Sequence, residues 1–417
     1  MLLKSILRRQ YPQPRFVYGS IRWRDPTRRE LLVELRPRRG CRPRCSGCRR
    51  PGTTHGRLAP RQFDFIPILG IAVTFVYAMR RVDCRACRRV VVEQVPWARG
   101  KEQMTEAYKW FLAGWAKRLA WSEVARLFGT SWDRVYRAVR HAVLWGLAHR
   151  DQTLPVEAIG VDEIAAHKGH RYLTLIYQID GRIRRLLWVG VGRSEDSLSD
   201  GLQRIRWALP SLKHVCSDMA PGYLKAIATW AGHAVHVLDR FHVTMQLSKA
   251  IDQVRAQEVK RLKADGKEPV LTHSRWCLLK RPDRLTEGQA SKLKELLRLN
   301  LRTVRAYLLR RSFEQFWDSA DPDTAQRFLR TWTTQALRSR LPPMRRIAKT
   351  LRRHEPLLLN GFRARGQISN GITEGLNNKA KIALRKSYGF RTDEVYQVVL
   401  YHQLGALPEH EFAHRFR

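Results

Sequence analysis

Apolar and polar positions change rhythm several times along this chain, and each change predicts a different element. Between Phe63 and Asp83 ("FDFIPILGIAVTFVYAMRRVD") they alternate with a period of two, which predicts a β-hairpin. From Met104 to Leu119 the spacing becomes helical. In "WSEVARLFGTSWDRVYRAVRHAVLWG" a second and third helix are predicted. Val124, Ala125 and Phe128 are apolar at helical spacing, Gly129 supplies a tight turn, and Ser131 is placed to cap the next helix. Val135 and Val139 are then expected to face the first of these helices, leaving Arg134, Arg137 and Arg140 on the exposed face.

From Ile159 the rhythm returns to strands. "IGVDEIAA", "HRYLTLIYQID" and "RRLLWVGVG", joined by the short turns "HKG" and "DGR", predict an antiparallel meander. "SEDSLSDGLQRIRWAL" predicts a helix with an acidic first turn. "HVCSDMA" predicts a fourth strand ending in Asp218. "PGYLKAIATW" predicts a helix with Pro221 in its first turn, and "AVHVLDRFHV" a fifth strand carrying Asp239 and His242. Three hairpin strands followed by alternating helices and strands is the order of a ribonuclease-H-like fold, in which the first and fourth strands are neighbours. Asp162 and Asp218 are therefore expected to meet, while alternation turns Glu163 to the other face and away from them. The stretch from about Gln246 to Gln367 reads as helical throughout. Within it Trp276, Phe313, Phe316 and Trp317 are expected in the core.

Charge changes this picture. The 417 residues hold 78 Lys and Arg against 37 Asp and Glu, a net charge of +41 distributed over the whole length. Such a field attracts polyanions, and nucleic acid is the natural candidate. At 44% hydrophobic the chain can bury real cores, so a disordered basic arm is excluded. No run reaches the ~18 apolar residues that a membrane span requires; the longest, Ile66 to Met79, is too short. The start lacks a signal core, so a cytoplasmic protein without membrane partners is expected.

Four of the seven cysteines form two Cys-x-x-Cys pairs, Cys45 with Cys48 and Cys84 with Cys87. Two such knuckles joined by a hairpin make the layout of a zinc ribbon, although the joining loop exceeds the usual spacing and Cys41 or His55 could replace one ligand. Arginines crowd both knuckles, which suggests contact with phosphate. Cys216 and Cys277 are isolated and read as structural. The arginine face after Gly129 makes the helix pair a helix-turn-helix whose second helix would enter a DNA major groove, rather than an ordinary helical pair.

Acids are scarce enough in so basic a chain to be informative. In "ISNGITEGLNNKAKIALRKSYGF" a helix starting near Thr373 puts Glu374, Asn378, Lys381 and Arg385 on one stripe, and Glu374 is the one carboxylate between Glu355 and Asp393. A solvated face would look the same, but an acid isolated among bases also suits a metal. Hard Mg²⁺ or Mn²⁺ ions take carboxylate oxygen, and two of them about 4 Å apart can activate an attacking oxygen and stabilise the leaving one in phosphodiester chemistry.

The order of zinc ribbon, helix-turn-helix, "VDE", "SDMAPGY", "LDRFHV" and "SNGITEGLNNKAKIALRKSYGFR" closely resembles bacterial insertion-sequence transposases of the ISL-three family, which belong to the DDE class. The resemblance runs from about Cys45 to the C-terminus, and its last two motifs are the specific ones. It implies a catalytic triad of Asp162, Asp218 and Glu374 holding two Mg²⁺ or Mn²⁺ ions, structural Zn²⁺ on the cysteines, and support from Asp239, His242, Asn378, Lys381 and Arg385. It further implies an all-helical insertion before the third acid and a homo-oligomer acting on paired ends. The partners would be double-stranded terminal inverted repeats and target DNA. The domains expected are a basic ribbon region (1–95), a helix-turn-helix (96–151), a ribonuclease-H-like catalytic domain (152–245 and 368–417) and the insertion (246–367). A catalytically dead DNA-binding descendant would not need all three acids. A resolvase of the same fold would not need the appended DNA-reading modules.

Overall fold

A computed structural model describes residues 3–24, 26–27, 29–167, 171–181, 183–267, 270–364, 368, 371–386 and 390–412, without the side chains of 166 and 167. Lys168 and Gly169 of one expected turn, Arg182 of the other, the expected edge at Gln367, and Ser369, Asn370 and Ser387 to Gly389 of the last motif lie outside these residues. The chain divides into two compact units, 1–150 with 382–417, and 151–381.

The first unit opens with α1 (Leu3–Gln10), β1 (Phe16–Trp23), β2 (Glu30–Pro37), β3 (Thr53–Ile68), β4 (Ile71–Cys84) and β5 (Arg89–Val92). The strands form one sheet in the order β1-β2-β4-β3, with β5 also on β4. β3 and β4 are the expected hairpin, antiparallel with Phe63 opposite Phe75. Phe63, Phe75, Tyr77 and Trp97 are buried on one face, where Trp97 meets Phe16, Phe63 and Tyr77 edge-on. The two-residue turn holds Leu69 at φ 53° and Gly70 at φ 78°, as a primed hairpin turn requires. Leu69 is 94% exposed there.

Three helices follow: α2 (Glu106–Ala116), α3 (Trp121–Leu127) and α4 (Trp132–Ala148). Thr105 caps α2 by accepting from the Tyr108 N–H, and Ser131 caps α4 by accepting from Arg134 N–H at 3.3 Å. Gly129 takes φ 58° between α3 and α4, a conformation a side chain would strain. Val124, Val135 and Val139 are fully buried, so the expected helix-turn-helix core is present.

The second unit is built on β6 (Ala158–His167), β7 (Arg171–Gln178), β8 (Arg185–Val191), α5 (Glu195–Arg204), β9 (His214–Ser217), α6 (Pro221–Ala231) and β10 (Val235–Leu238). The sheet order is β10-β9-β6-β7-β8. β6, β7 and β8 form the antiparallel meander, and β9 and β10 join in parallel, with Gly160 opposite Cys216. One face packs Ile159, Val161, Ile176 and Trp188 against Leu198, Leu202, Tyr223 and Ile227 of α5 and α6. Ser194 caps α5, and Pro221 opens α6 as its sequence predicts.

The strand expected over "AVHVLDRFHV" is shorter than its β-branched run suggests. It stops at Leu238. Asp239 accepts the Phe241 N–H at 2.8 Å and caps α7 (Arg240–Ala264), and His242 stands in that helix. The helical stretch thus begins at Arg240 rather than near Gln246. It continues through α8 (Arg275–Leu279), α9 (Glu287–Leu297), α10 (Arg302–Glu314), α11 (Pro322–Arg338), α12 (Pro342–Arg353) and α13 (Glu355–Arg363). Phe313 and Phe316 are buried in its core and Trp317 packs against them, but Trp276 is 54% exposed and was wrongly placed in the core by its hydrophobicity alone.

Helix α14 (Gly371–Arg385) returns to the uncovered face of the sheet. It lies so close to β6 that a Cβ on Gly160 would come within 2.3 Å of Thr373 Oγ1. The last helix, α15 (Asp393–Leu404), belongs to the first unit, where Arg140 pairs with Glu394 at 2.6 Å and Phe390 packs on Trp121. Packing therefore joins 382–417 to residues 1–150, whereas the expected division kept 368–417 whole. Among the described residues no helix is long and apolar enough to cross a membrane.

Gly160→Ala should lower stability by about 1–3 kcal/mol through overpacking, measured by chemical denaturation, and adding Thr373→Ala should restore most of it; a neutral single variant would refute the close-approach argument. Leu69→Asn should raise stability by roughly 1 kcal/mol, because asparagine tolerates the left-handed turn better, and an unchanged midpoint would count against it.

Candidate functional site

Two strands and two helix starts gather acids at one end of the second sheet. β6 carries Asp162 and Glu163, and its parallel pairing with β9 ends at Gly160. Asp218 follows directly on β9, with its Oδ1 accepting the Ala220 N–H at 3.0 Å. Asp239 caps α7, and Glu374 lies in the first turn of α14.

Asp162, Glu163, Asp239, His242 and Glu374 share one cavity of about 760 Å³. Its wall also includes Arg240, Arg281, Arg284, Asn378 and Lys381. The expectation that Glu163 points away is corrected here. Alternation does put it on the other face from Asp162, but β6 outruns β9 at this point, so both faces open into the same space. Asp218 lies next to this cavity, and its charge acts on both Asp162 and Glu163. Arg385 is exposed near the end of α14 and does not line the cavity.

Asp162 is held from an unexpected quarter. Asn377 Nδ2 donates to its Oδ2 at 2.5 Å, and Tyr177 Oη donates to Asn377 Oδ1 at 2.9 Å. The Glu163 N–H donates to its other oxygen at 2.8 Å. Asn377 is buried, whereas its neighbour Asn378, the one singled out from the helical stripe, is exposed. The stripe picked the solvent-facing side of α14, and the residue that touches the strand is one position away. The signal available was the Asn-Asn pair itself, since a buried asparagine needs partners.

Burial raises the Asp162 carboxyl above the ordinary carboxylate range, and the charges of Asp239 and Asp218 add to this; the Glu163 N–H and His242 oppose it. Burial, then Asp218 and Asp162, raise Glu163 as well. His242 Nδ1 lies 2.8 Å from Asp239 Oδ2, and that bond lifts the imidazole to about 9 against the cost of burial. These carboxylates are hard oxygen donors, the kind divalent cations take; they border one space, but among the described residues no three of them stand as close together as the four cysteines do.

Far along the chain, the sulfurs of Cys45, Cys48, Cys84 and Cys87 all lie within 4.8 Å of one another. Cys45 and Cys87 are 3.7 Å apart, and Cys48 and Cys84 3.5 Å. The backbone N–H groups of Cys48 and Gly47 lower the Cys45 thiol to about 6, while bonds to the other three sulfurs raise Cys87 to about 12. Four such thiols could hold a zinc ion. Cys41 and His55 stay outside the group, and Cys216 and Cys277 are buried singly.

The three arginines of α4 are not the free cations the exposed face suggested. Arg134 is paired with Asp64 of β3, Arg137 with Asp133 one turn away, and Arg140 with Glu394 of α15. Arg137 keeps the most solvent contact, 65% of its side chain, against 28% for Arg134. Two of the three partners come from remote parts of the chain, which helical periodicity cannot reveal.

Against known proteins, a family profile described as "Transposase" matches residues 159–400. One described as the helix-turn-helix domain of transposase family ISL3 matches residues 93–143. The chain is 28% identical over 389 residues to the transposase for insertion sequence element IS1001 of Bordetella parapertussis, covering 91% of this chain and 93% of that one. It is 28% identical over 392 residues to the transposase for IS1557 of Mycobacterium tuberculosis, covering 87% and 86%. A solved Drosophila P element transposase strand transfer complex covers 73% of this chain and 92% of its own at 10% identity, with a TM-score of 0.36 that carries no weight for the fold. A transposase profile over more than half the length, joined to the helix-turn-helix profile before it, establishes that the chain belongs to the ISL3 family of insertion-sequence transposases, enzymes that cut DNA and transfer its strands.

Proposed function

We propose that Asp162, Asp218 and Glu374 are the catalytic acids of this transposase and that the cavity lined by Asp162 and Glu374 receives the scissile phosphate. The observation that carries this is the convergence of Asp162 and Glu374, 212 residues apart in sequence, on one cavity rimmed by Arg240, Arg281, Arg284 and Lys381. Asp218 follows the strand that pairs with β6, so its charge bears on the same place. The sheet order and the long helical run before Glu374 fit a ribonuclease-H-like catalytic domain with an all-helical insertion.

The acids would hold Mg²⁺ or Mn²⁺, which would activate the attacking oxygen and stabilise the leaving one. The protein's own residues do the rest. Asn377, itself held by Tyr177, donates directly to one Asp162 oxygen and leaves the carboxylate aimed by a neutral donor. Asp239 orients His242 at the cavity wall, and both support the acids. The rim cations, Lys381 among them, draw the DNA backbone in and exclude competing orientations. Asn378, on the same exposed stripe, adds a polar contact to the bound strand. Arg385, exposed on α14, would contact phosphate as well.

The helix-turn-helix would read the terminal inverted repeats, with α4 in the major groove. Arg137 is the most available base-reading side chain of the three, while Arg134 and Arg140 would meet phosphate on giving up their carboxylates. The four cysteines would carry structural Zn²⁺ and fix the ribbon beside the reading helix. Two copies acting on paired ends would make the working assembly.

Purified protein mixed with a labelled duplex of its element's end and Mg²⁺ or Mn²⁺ tests this directly. Asp162→Asn, Asp218→Asn and Glu374→Gln should each abolish nicking and joining while end binding persists. Cutting that survives Glu374→Gln but not Glu163→Gln would reassign the third acid. Asn377→Ala should slow cleavage by about 10- to 100-fold, as loss of a carboxylate's orienting partner does; an unchanged rate would remove Asn377 from the site. Cys84→Ser should release bound zinc, read by metal analysis, and retention of a full equivalent would exclude the four-thiol centre.

A further inference from the structure

The first unit contains a second charged cavity that neither the acids nor the helix-turn-helix explain. It has a volume of about 370 Å³ and lies beside the first cysteine knuckle. Arg15, Arg44, Arg49 and Arg80 line it, with Glu93 as the one carboxylate in its wall.

That carboxylate is already committed. Glu93 Oε1 accepts from Tyr77 Oη at 2.5 Å and from the Arg80 N–H at 2.6 Å. Its Oε2 takes the Arg80 guanidinium at 2.8 Å, in a pair whose side chains are 7% and 1% exposed. Arg80 spends a further donor on the Cys41 carbonyl at 2.9 Å. So Arg80 and Glu93 neutralise one another, and nothing in the wall offsets the other three charges. Arg15 donates to the carbonyl of Arg42. Arg44 and Arg49 have no ion pair among the described residues, and neither has Arg15.

The backbone that carries these residues is hydrogen-bonded on both sides. The Cys45 N–H donates to Arg50 O and the Arg49 N–H to Cys45 O, both at 2.9 Å, and the Gln94 N–H donates to Arg44 O at 2.8 Å. Arg49 sits at φ 62°, a left-handed conformation that a non-glycine residue adopts only at some cost. Three like charges gathered on a fixed frame repel one another unless an anion joins them. Phe16, Val95 and Pro96 make the rest of the wall apolar.

We infer that this notch seats a phosphodiester of the DNA backbone, with Arg44 and Arg49 clasping the phosphate and the apolar wall receiving the adjoining sugar. Guanidinium forks match phosphate oxygens in pairs, and a sugar suits the apolar side as a bare inorganic ion would not. The inference rests on the proposed binding of element ends and assigns the ribbon one particular contact in it. The contact is sequence-blind, so it adds affinity and register rather than specificity.

The test is equilibrium binding of the full chain to a fluorescent end duplex and to an unrelated duplex across a salt series. Arg44→Gln with Arg49→Gln should reduce the slope of log affinity against log salt by about one. The reduction should be the same for both duplexes, with zinc content and melting temperature kept. Arg44→Lys with Arg49→Lys should keep the slope, and Arg8→Gln with Arg9→Gln on α1 should leave it unchanged. An unaltered slope in the Gln pair, or an equal loss in the α1 pair, overturns the inference. So does micromolar binding of inorganic phosphate or a nucleoside triphosphate that the Gln pair abolishes without changing the slope. If the unaltered chain binds no duplex at all, the proposed end binding fails first, and the notch loses its occupant with it.

Discussion

The seating of α14 against β6 is the constraint on which the candidate site depends. Residue 160 has no side chain, and so Thr373 can approach it; a Cβ there would fall 2.3 Å from the threonine oxygen. One turn further along the helix, Asn377 then reaches Asp162 on the strand, two residues beyond Gly160. Glu374 lies between these two contacts and is carried to the cavity by them. Two chain segments more than two hundred residues apart are thus registered by one missing methyl group and one amide.

Around that contact the charges are arranged in shells of opposite sign. Acids occupy the inside, where burial and mutual repulsion raise Asp162 and Glu163. Arginines and Lys381 occupy the rim. A surplus of positive charge over the whole chain suits the approach of DNA, and the role proposed for the inner acids is to hold the ions that chemistry on phosphate needs. The first unit follows a different rule. Some of its arginines are braced by carboxylates from other elements, as with Arg134 and Asp64, and others are left open in a notch, as with Arg44 and Arg49.

Much of this could be read from local pattern. The knuckles, the hairpin between them, the helix-turn-helix core and the meander all depend on residues close together in sequence, and periodicity reports such neighbours faithfully. What escaped depends on distant partners or on where an element ends. Glu394 lies 254 residues from the arginine it pairs with. Alternation assigned Glu163 a face correctly but could not show that the neighbouring strand stops short. The β-branched run before Asp239 concealed a helix cap, and Asn377 and Asn378 are indistinguishable until the helix is docked. Trp276 shows the limit of hydrophobicity as a guide, since its ring is more than half exposed, with Arg275 stacked 5.2 Å from its centroid.

The pair between Arg134 and Asp64 joins the reading helix to the long hairpin that ends in the cysteine knuckles. Asp64 is pinned further by its backbone, which takes a hydrogen bond from Thr105 at the head of α2 and gives one to Gln103. Hairpin and helix-turn-helix are therefore tied to one another through one carboxylate and its own backbone. With both on DNA as proposed, their subsites would be fixed in helical phase: moved apart by half a turn, those subsites would face opposite sides of the duplex, however well each sequence were preserved.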